Sequence, residues 1–480
     1  MFAVAGQGPA GPGTLSSMRV APPPPLAAQP TPLSRLLGIT LDALRTGAEE
    51  RGGPLPPGGP AAVTARVRTA LGDVLPDTGT GADEALRTLV HLVAAGAADP
   101  AHPLCAAHLH TPPLALAAAA DLAAAALNPS MDSWDQAPAA SALEAEVTAA
   151  LAAEVFPAAD RPDALVTTGG TESNQLALLL ARERHGPGLT TVTGARAHHS
   201  VRRAAWLLGL PEPVTVPTPR GVLDPEATAR VLAAQDGPVL LAATAGTTDE
   251  GLIDPLPALA DACAAHGAEL HVDAAYGGPV LLSAAHRHLL DGLDRARTVT
   301  LDLHKLGWQP AAAGLLAVRE TGDLAALAHT ADYLNADDDT EAGLPDLLGR
   351  SLRTTRRPDV LKAAVTLRAL GRTGLGALVD RCMELAGDLA DLVEKHPGLE
   401  LRDRPVLTTV LFRPAGADDA AVARVRRRLL AEGRAVLGRA EADGRLWLKA
   451  TLLNPHTTPD DLDRLVTLTL AALVEGGTDR

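Results

Sequence analysis

Only four lysines occur among the 480 residues, and one of them stands in Thr300-Leu301-Asp302-Leu303-His304-Lys305. A primary amine condenses with an aldehyde to a Schiff base and a guanidinium does not. A site that needs imine chemistry therefore keeps lysine even in a chain whose other basic side chains are mostly arginine. Thirty-two residues upstream, Asp273 lies in His271-Val272-Asp273-Ala274-Ala275-Tyr276-Gly277-Gly278. One apolar run delivering a carboxylate and a second delivering an amine are what pyridoxal phosphate (PLP) requires. Asp273 would pair with the pyridinium nitrogen and Lys305 would hold the aldehyde carbon.

Other segments carry groups that suit the same cofactor. Val166-Thr167-Thr168-Gly169-Gly170-Thr171-Glu172-Ser173-Asn174 precedes a helical run from Gln175 to Arg184. A glycine-rich turn entering a helix offers unpaired N–H groups and the positive end of the dipole to a phosphate. His198, in Ala197-His198-His199-Ser200-Val201, supplies a ring for one face of a planar cofactor, while the small Ala275 can approach the other. Thr247, in Ala243-Thr244-Ala245-Gly246-Thr247-Thr248, adds a hydroxyl, and His304 could donate to the phosphate. His102, His108 and His110 lack a carboxylate or cysteine to complete a ligand set. They read as pocket wall, and no metal is expected.

These groups need a scaffold that delivers them to one place. From about 140 to 320, short apolar runs alternate with helical patterns: Ala164 to Thr167, Thr190 to Thr193, Pro213 to Val216, Val239 to Thr244, Glu269 to Asp273, Thr298 to Leu301 and Gly314 to Val318. This predicts an α/β fold with a mainly parallel central sheet, helices on both faces, and ligands beyond the carboxyl ends of the strands. Asp273, Thr247 and Lys305 fall at or just after such ends. Residues 1–32, rich in Pro, Gly and Ala, are expected to form a disordered tail. Residues 33–127 form an N-terminal helical segment placed to clasp a partner, and 128–360 the large cofactor-binding domain. Residues 361–480 form a small α+β domain with two long helical patterns and strands over Val406 to Phe412 and Leu446 to Leu452.

Composition narrows the function further. A net charge of −15 excludes nucleic acid as the expected partner, and Arg424-Val425-Arg426-Arg427-Arg428 reads as a solvated helix face. Three scattered cysteines without a CxxC pair fit a reducing compartment. Asp121 interrupts the alanine-rich stretch 114–127, so no membrane span is expected, and no secretory signal is recognised at the N-terminus. The expected location is cytoplasmic.

Together these residues resemble the group II PLP-dependent amino-acid decarboxylases, of PLP fold type I (aminotransferase-like), over about residues 100–455. The resemblance implies that Lys305 carries the cofactor, Asp273 holds the ring nitrogen, His198 stacks on the ring and Ala275 lies beneath it. It also implies a phosphate set of Gly170, Thr171, Ser173, Asp302 and His304. Family members often carry asparagine where Asp302 stands, and a carboxylate beside a phosphate dianion is repulsive unless turned away. More narrowly, His108-Leu109-His110-Thr111-Pro112-Pro113, Asn128-Pro129-Ser130-Met131-Asp132-Ser133-Trp134-Asp135-Gln136-Ala137-Pro138, Tyr333-Leu334-Asn335 and Thr354-Thr355-Arg356-Arg357-Pro358-Asp359 resemble the bacterial L-2,4-diaminobutyrate decarboxylase branch. That branch neighbours siderophore-pathway lysine decarboxylases.

The resemblance implies a homodimer that releases CO2 and an amine from an L-amino acid. The expected substrate is a diamino acid such as L-2,4-diaminobutyrate, lysine or ornithine. His110, Asp132, Trp134, Asp135 and Tyr333 are the candidate substrate contacts, with Asp132 or Asp135 pairing a distal ammonium. Aromatic decarboxylases of this frame protonate the carbanion with a lid tyrosine. Here Leu347 stands at that position and the only tyrosines are Tyr276 and Tyr333. The proton donor is therefore open between His198, Tyr333 and water. Other readings on the same residues are an aromatic or glutamate decarboxylase, a PLP transaminase or carbon–carbon lyase, and a non-enzymatic PLP-binding sensor or scaffold. Against the last, no basic helix-turn-helix segment precedes the fold and every chemical position is filled.

Overall fold

The computed structural model describes residues 24–329 and 337–475, so most of the expected tail, and Tyr333, lie outside the described residues. Helices α1 (Pro30–Arg51), α2 (Gly59–Leu71), α3 (Ala82–Gly96) and α4 (Ala115–Leu127) lead into α5 (Pro138–Val155). The sheet region runs β1 (Asp163–Thr167), α6 (Gly170–His185), β2 (Thr190–Gly194), α7 (His199–Leu207), β3 (Val214–Val216), α8 (Pro225–Ala233) and β4 (Val239–Thr244). It continues with α9 (Leu256–His266), β5 (Glu269–Ala274), β6 (Thr298–Asp302) and β7 (Gly314–Val318). A short α10 (Asp337–Glu341) and the long α11 (Val360–Lys395) precede β8 (Leu399–Leu401), β9 (Thr409–Pro414), α12 (Asp419–Ala431), β10 (Gly438–Ala442), β11 (Arg445–Thr451) and α13 (Pro459–Glu475).

The first seven strands form one sheet in the order β1-β7-β6-β5-β4-β2-β3. Strands β3, β2, β4, β5 and β6 are parallel to their neighbours in that set, while β7 runs against both β6 and β1. Each strand expected from the apolar runs is present, its bounds within one residue. A parallel strand covered on both faces needs apolar residues at every position, and all six residues of β4 are buried. Successive side chains go to opposite faces. Leu241 and Ala243 pack with Leu259 and Cys263 of α9, whereas Leu240 packs with Leu178 of α6 and Ala204 of α7.

The C-terminal sheet is antiparallel throughout, in the order β10-β11-β9-β8. Its core gathers Leu385, Leu389, Val425, Leu429 and Leu465 around Phe412 and Leu448. Strand β9 begins at Thr409, later than Val406, because the preceding segment belongs to the large core: Leu407 packs there and Thr408 N donates to Tyr276 Oη at 3.2 Å. Strand β10 was not among the expected strands: Gly-Arg-Ala-Glu-Ala alternates buried and exposed residues but has no β-branched or aromatic side chain to mark it. The two helical patterns after 360 are one helix broken at Gly371, which has φ 61°. Val360 and Val379 of α11 join the large core and Leu385 and Leu389 the small one. Among the described residues no helix is long and apolar enough to cross a membrane.

Several of the buried charges are paired. Lys362 is enclosed between Asp121 and Asp359, each 3.2 Å from Nζ. Arg356 Nη1 lies 2.6 Å from Glu144 Oε2, both side chains buried, joining α5 to the segment before α11. Glu144→Ala would strand that guanidinium, whose Nη2 already lacks a partner. The expected loss is about 3–5 kcal/mol, while Glu144→Met combined with Arg356→Met should cost far less. Urea unfolding of the three proteins checks this. Equal losses in the single and double variants would assign the cost to packing instead of charge.

Candidate functional site

The reversal at β7 brings the carboxyl end of β1 to the same edge as those of β4, β5 and β6. Gly314, at the start of β7, is in register with Thr167 on one side and Asp302 on the other. A cavity of about 370 Å³ opens at this edge. The turn from β1 into α6 fits only without side chains. Gly169 has φ 152°, and a Cβ there would stand 2.8 Å from His304 Cε1. A Cβ on Gly170 would stand 2.8 Å from Ala275 Cβ, and one on Gly314 would be 2.5 Å from Gly169 Cα. Glycine at all three positions lets the first turn of α6, with its unpaired N–H groups, reach the cavity.

Lys305 Nζ lies 2.8 Å from Asp302 Oδ2 in this cavity. Asp302, 2% exposed, has no hydrogen-bond partner for Oδ1. His304 packs its ring against the glycine turn and places Nδ1 3.0 Å from Ala313 O. Asp273 Oδ1 accepts from Ala275 N at 3.1 Å, and Oδ2 accepts from Asn174 Nδ2 at 2.8 Å. His198 caps α7, its Nδ1 2.8 Å from Ser200 Oγ. Burial pushes the His198 pKa down, and the negative charge of Asp273 opposes the shift.

Lys305, His198, Asp273, Ala275, Gly170, Thr171, Asp302 and His304 thus line one cavity. The other expected residues among those described do not. Ser173 is buried behind the turn, its hydroxyl donating to Leu315 O at 3.1 Å. Thr247 Oγ1 accepts from Leu252 N at 3.0 Å, and Thr244 and Thr248 line the cavity in its place. His110 is exposed and its neighbour Leu109 forms the wall. Asp132, Trp134 and Asp135 lie outside the cavity of their own chain. Asp132 Oδ1 accepts from Gln136 and Asp135 Oδ1 from Ser133. Tyr276 reaches the cavity wall, but its hydroxyl is committed to Thr408 and Thr409, and burial raises its pKa to about 12. No cluster of three or more metal-ligating side chains exists among the described residues.

Sequence reasoning missed the side chains behind Asp273. Asn174, His271, Thr300 and Ser200 are fully buried and hydrogen-bonded around it. The available signal was a polar Asn174 four residues after Gly170 on an otherwise apolar helix face.

The donor set suits PLP. An amine, a carboxylate already oriented by two N–H donors, an imidazole and a helix terminus stripped of side chains meet in one cavity. Residues 70–415 match the family profile described as the pyridoxal-dependent decarboxylase conserved domain. The chain is 42% identical over 412 residues to an L-2,4-diaminobutyrate decarboxylase of Rhizobium meliloti (strain 1021), covering 82% of each chain. It is 31% identical over 442 residues to an L-2,4-diaminobutyrate decarboxylase of Acinetobacter baumannii, covering 84% of this chain and 86% of that one. Among solved structures, the glutamate decarboxylase domain of diaminobutyrate-pyruvate transaminase and L-2,4-diaminobutyrate decarboxylase from Vibrio parahaemolyticus superposes with a TM-score of 0.81. The identity there is 32%, with 93% of this chain and 96% of that one covered.

Proposed function

The chain belongs to the pyridoxal-dependent decarboxylase family and is a PLP-dependent amino-acid decarboxylase, and from that premise we propose that its substrate is a diamino acid, L-2,4-diaminobutyrate ahead of lysine or ornithine. The observation that carries this is the 42% identity across 82% of both chains.

When bound, PLP supplies an aldehyde for imine formation and an electron-accepting ring for the pair released as the bond from Cα to the carboxylate breaks. We assign Lys305 as the amine that holds the cofactor between turnovers. Asp273, by its charge, would hold a proton on the ring nitrogen. His198 and Ala275 would confine the ring. The first N–H groups of α6, at Gly170 and Thr171, would bind the phosphate with help from His304. Asp302 is assigned to the Lys305 amine, which its Oδ2 contacts, and not to the phosphate. The proton that replaces CO2 comes from a side chain of the cavity or a water that it positions.

Incubation with PLP and a panel of amino acids tests the reading. The expected result is stoichiometric CO2 and 1,3-diaminopropane from L-2,4-diaminobutyrate, with no keto acid. Preference for glutamate, tyrosine, dopa or tryptophan over every diamino acid would overturn it, and a keto-acid product would assign transamination instead.

We further propose a homodimer in which the segment Asp132 to Asp135, outside its own cavity, forms part of the entrance to the other. A charge-assisted contact to the distal ammonium is worth about 1.5–3 kcal/mol. Replacing both aspartates by asparagine should then raise KM for the diamino acid by about tenfold or more, while sparing any activity on an uncharged amino acid. Equal effects on both substrates would remove the segment from the entrance.

A further inference from the structure

We propose that Asn174 is a positioning residue for this reaction: its amide orients the Asp273 carboxylate and, through Ser200, sets His198 in the tautomer that carries its proton on Nε2. The catalytic meaning of this arrangement rests on the decarboxylase reading above, whereas the arrangement itself is independent of it.

Asn174 is fully buried in α6, and its neighbours decide which end of the amide faces where. Asp273 Oδ2, 2.8 Å away, is a carboxylate oxygen that only accepts, so Nδ2 must face it. The second Nδ2 proton goes to Ser200 Oγ at 2.8 Å. On the opposite side, Oδ1 accepts from the Thr300 hydroxyl at 2.8 Å and from His271 Nε2 at 3.0 Å. His271 then accepts at Nδ1 from Thr298 Oγ1, 2.9 Å away. Its complete burial pushes its pKa down. All four hydrogen-bonding positions of the amide are filled. A flipped amide would set its oxygen against the Asp273 carboxylate, so only one orientation is stable.

Ser200 transmits that direction. Its oxygen accepts from Asn174, which leaves the hydroxyl hydrogen for His198 Nδ1 at 2.8 Å. The Ser200 backbone N–H addresses the same nitrogen at 3.4 Å. With Nδ1 accepting, the neutral imidazole carries its proton on Nε2. Nδ1 is tied to the start of α7, and no hydrogen bond from a described residue engages Nε2. The ring lines the cavity. Tyr276 cannot serve in its stead, because Thr408 and Thr409 hold its hydroxyl in the core. His198 Nε2–H is therefore a cavity proton that Asn174 prepares. Its delivery to the substrate carbon leaves an imidazolate, which the Ser200 hydroxyl and N–H stabilise at Nδ1 and which regains its proton from solvent before the next turnover. The charge that holds the cofactor ring nitrogen and the group that can protonate the substrate carbon are tied through two side chains.

The test is 15N NMR of the full-length chain with labelled histidine, recorded with and without PLP, the His198 signals being identified by their loss in His198→Gln. The expected wild-type result is an unprotonated Nδ1 and a protonated Nε2. Asn174→Leu and Ser200→Ala should each give a mixture of tautomers. Both should lower kcat by about tenfold or more with KM within about twofold, since the proton-transfer step is affected and uniform substrate binding is not. A protonated Nδ1 in the wild type overturns the proposal. So does an unchanged tautomer in Ser200→Ala, or a kcat near the wild-type value in a variant whose tautomer has shifted. Should Asn174→Leu fail to fold, Ser200→Ala decides alone. A wild-type protein that decarboxylates no amino acid would defeat the functional reading, and the NMR spectra would still decide the tautomer.

Discussion

Lys305→Arg is expected to yield a folded protein that turns over no amino acid and lacks the long-wavelength absorbance of protein-linked cofactor. Lys305→Ala should do the same, but the arginine variant is the sharper experiment. Lys305 Nζ sits 2.8 Å from the buried Asp302 carboxylate, so alanine removes a nucleophile and strands a charge at once. Arginine keeps a cation beside Asp302 and removes only the capacity to form an imine. If Lys305 served merely to neutralise Asp302, arginine would restore activity. Absorbance spectra and single-turnover CO2 release on both variants separate the two roles, and normal activity in either would dismiss Lys305 as the cofactor's anchor.

Asp273→Asn carries the second large effect. The variant should still bind cofactor, because the phosphate seat, His198 and Lys305 are untouched, yet it should lose several orders of magnitude in kcat. A neutral amide no longer favours a proton on the ring nitrogen, so the ring accepts the developing electron pair less readily. The hydrogen bonding behind it changes as well. Asn174 now faces an amide instead of an oxygen that only accepts, and the constraint that fixed its direction is relaxed. A loss smaller than about tenfold, or about 1.4 kcal/mol of barrier, would mean that Asp273 is not the ring partner. Pre-steady-state rates on cofactor-saturated protein give the number directly.

The large sheet and the cavity's central residues were legible because each rests on a local rule. Parallel strands buried on both faces read as apolar runs, and their ends mark where ligands bind, which is how Lys305 and Asp273 could be paired across 32 residues. What escaped depends on distances that no local pattern encodes. Nothing in Ala243-Thr244-Ala245-Gly246-Thr247-Thr248 says that the middle threonine turns its hydroxyl back to Leu252 N while those on either side meet the cavity. Asn174 and His271 read as ordinary polar residues on an apolar helix and strand until the register of β5 against β6 sets His271 beside Thr298 and Asp273 beside Thr300. The direction of the Asp302 carboxylate, flagged as awkward near a phosphate, likewise depends on the neighbouring lysine amine and could only be read from the fold.

The placement of the lysines bears on chemical selectivity. Free PLP is an indiscriminate electrophile that condenses with any accessible amine, and most protein surfaces consume it in many scattered adducts. Here Lys362 is sealed between two aspartates, and Lys449 lies buried with its ammonium on Thr248 O. Lys395, 76% exposed, is the one lysine that the surface displays. An exterior furnished with guanidinium groups is almost inert to aldehydes, so the side-chain amine that the cavity offers competes with hardly any other on the same molecule.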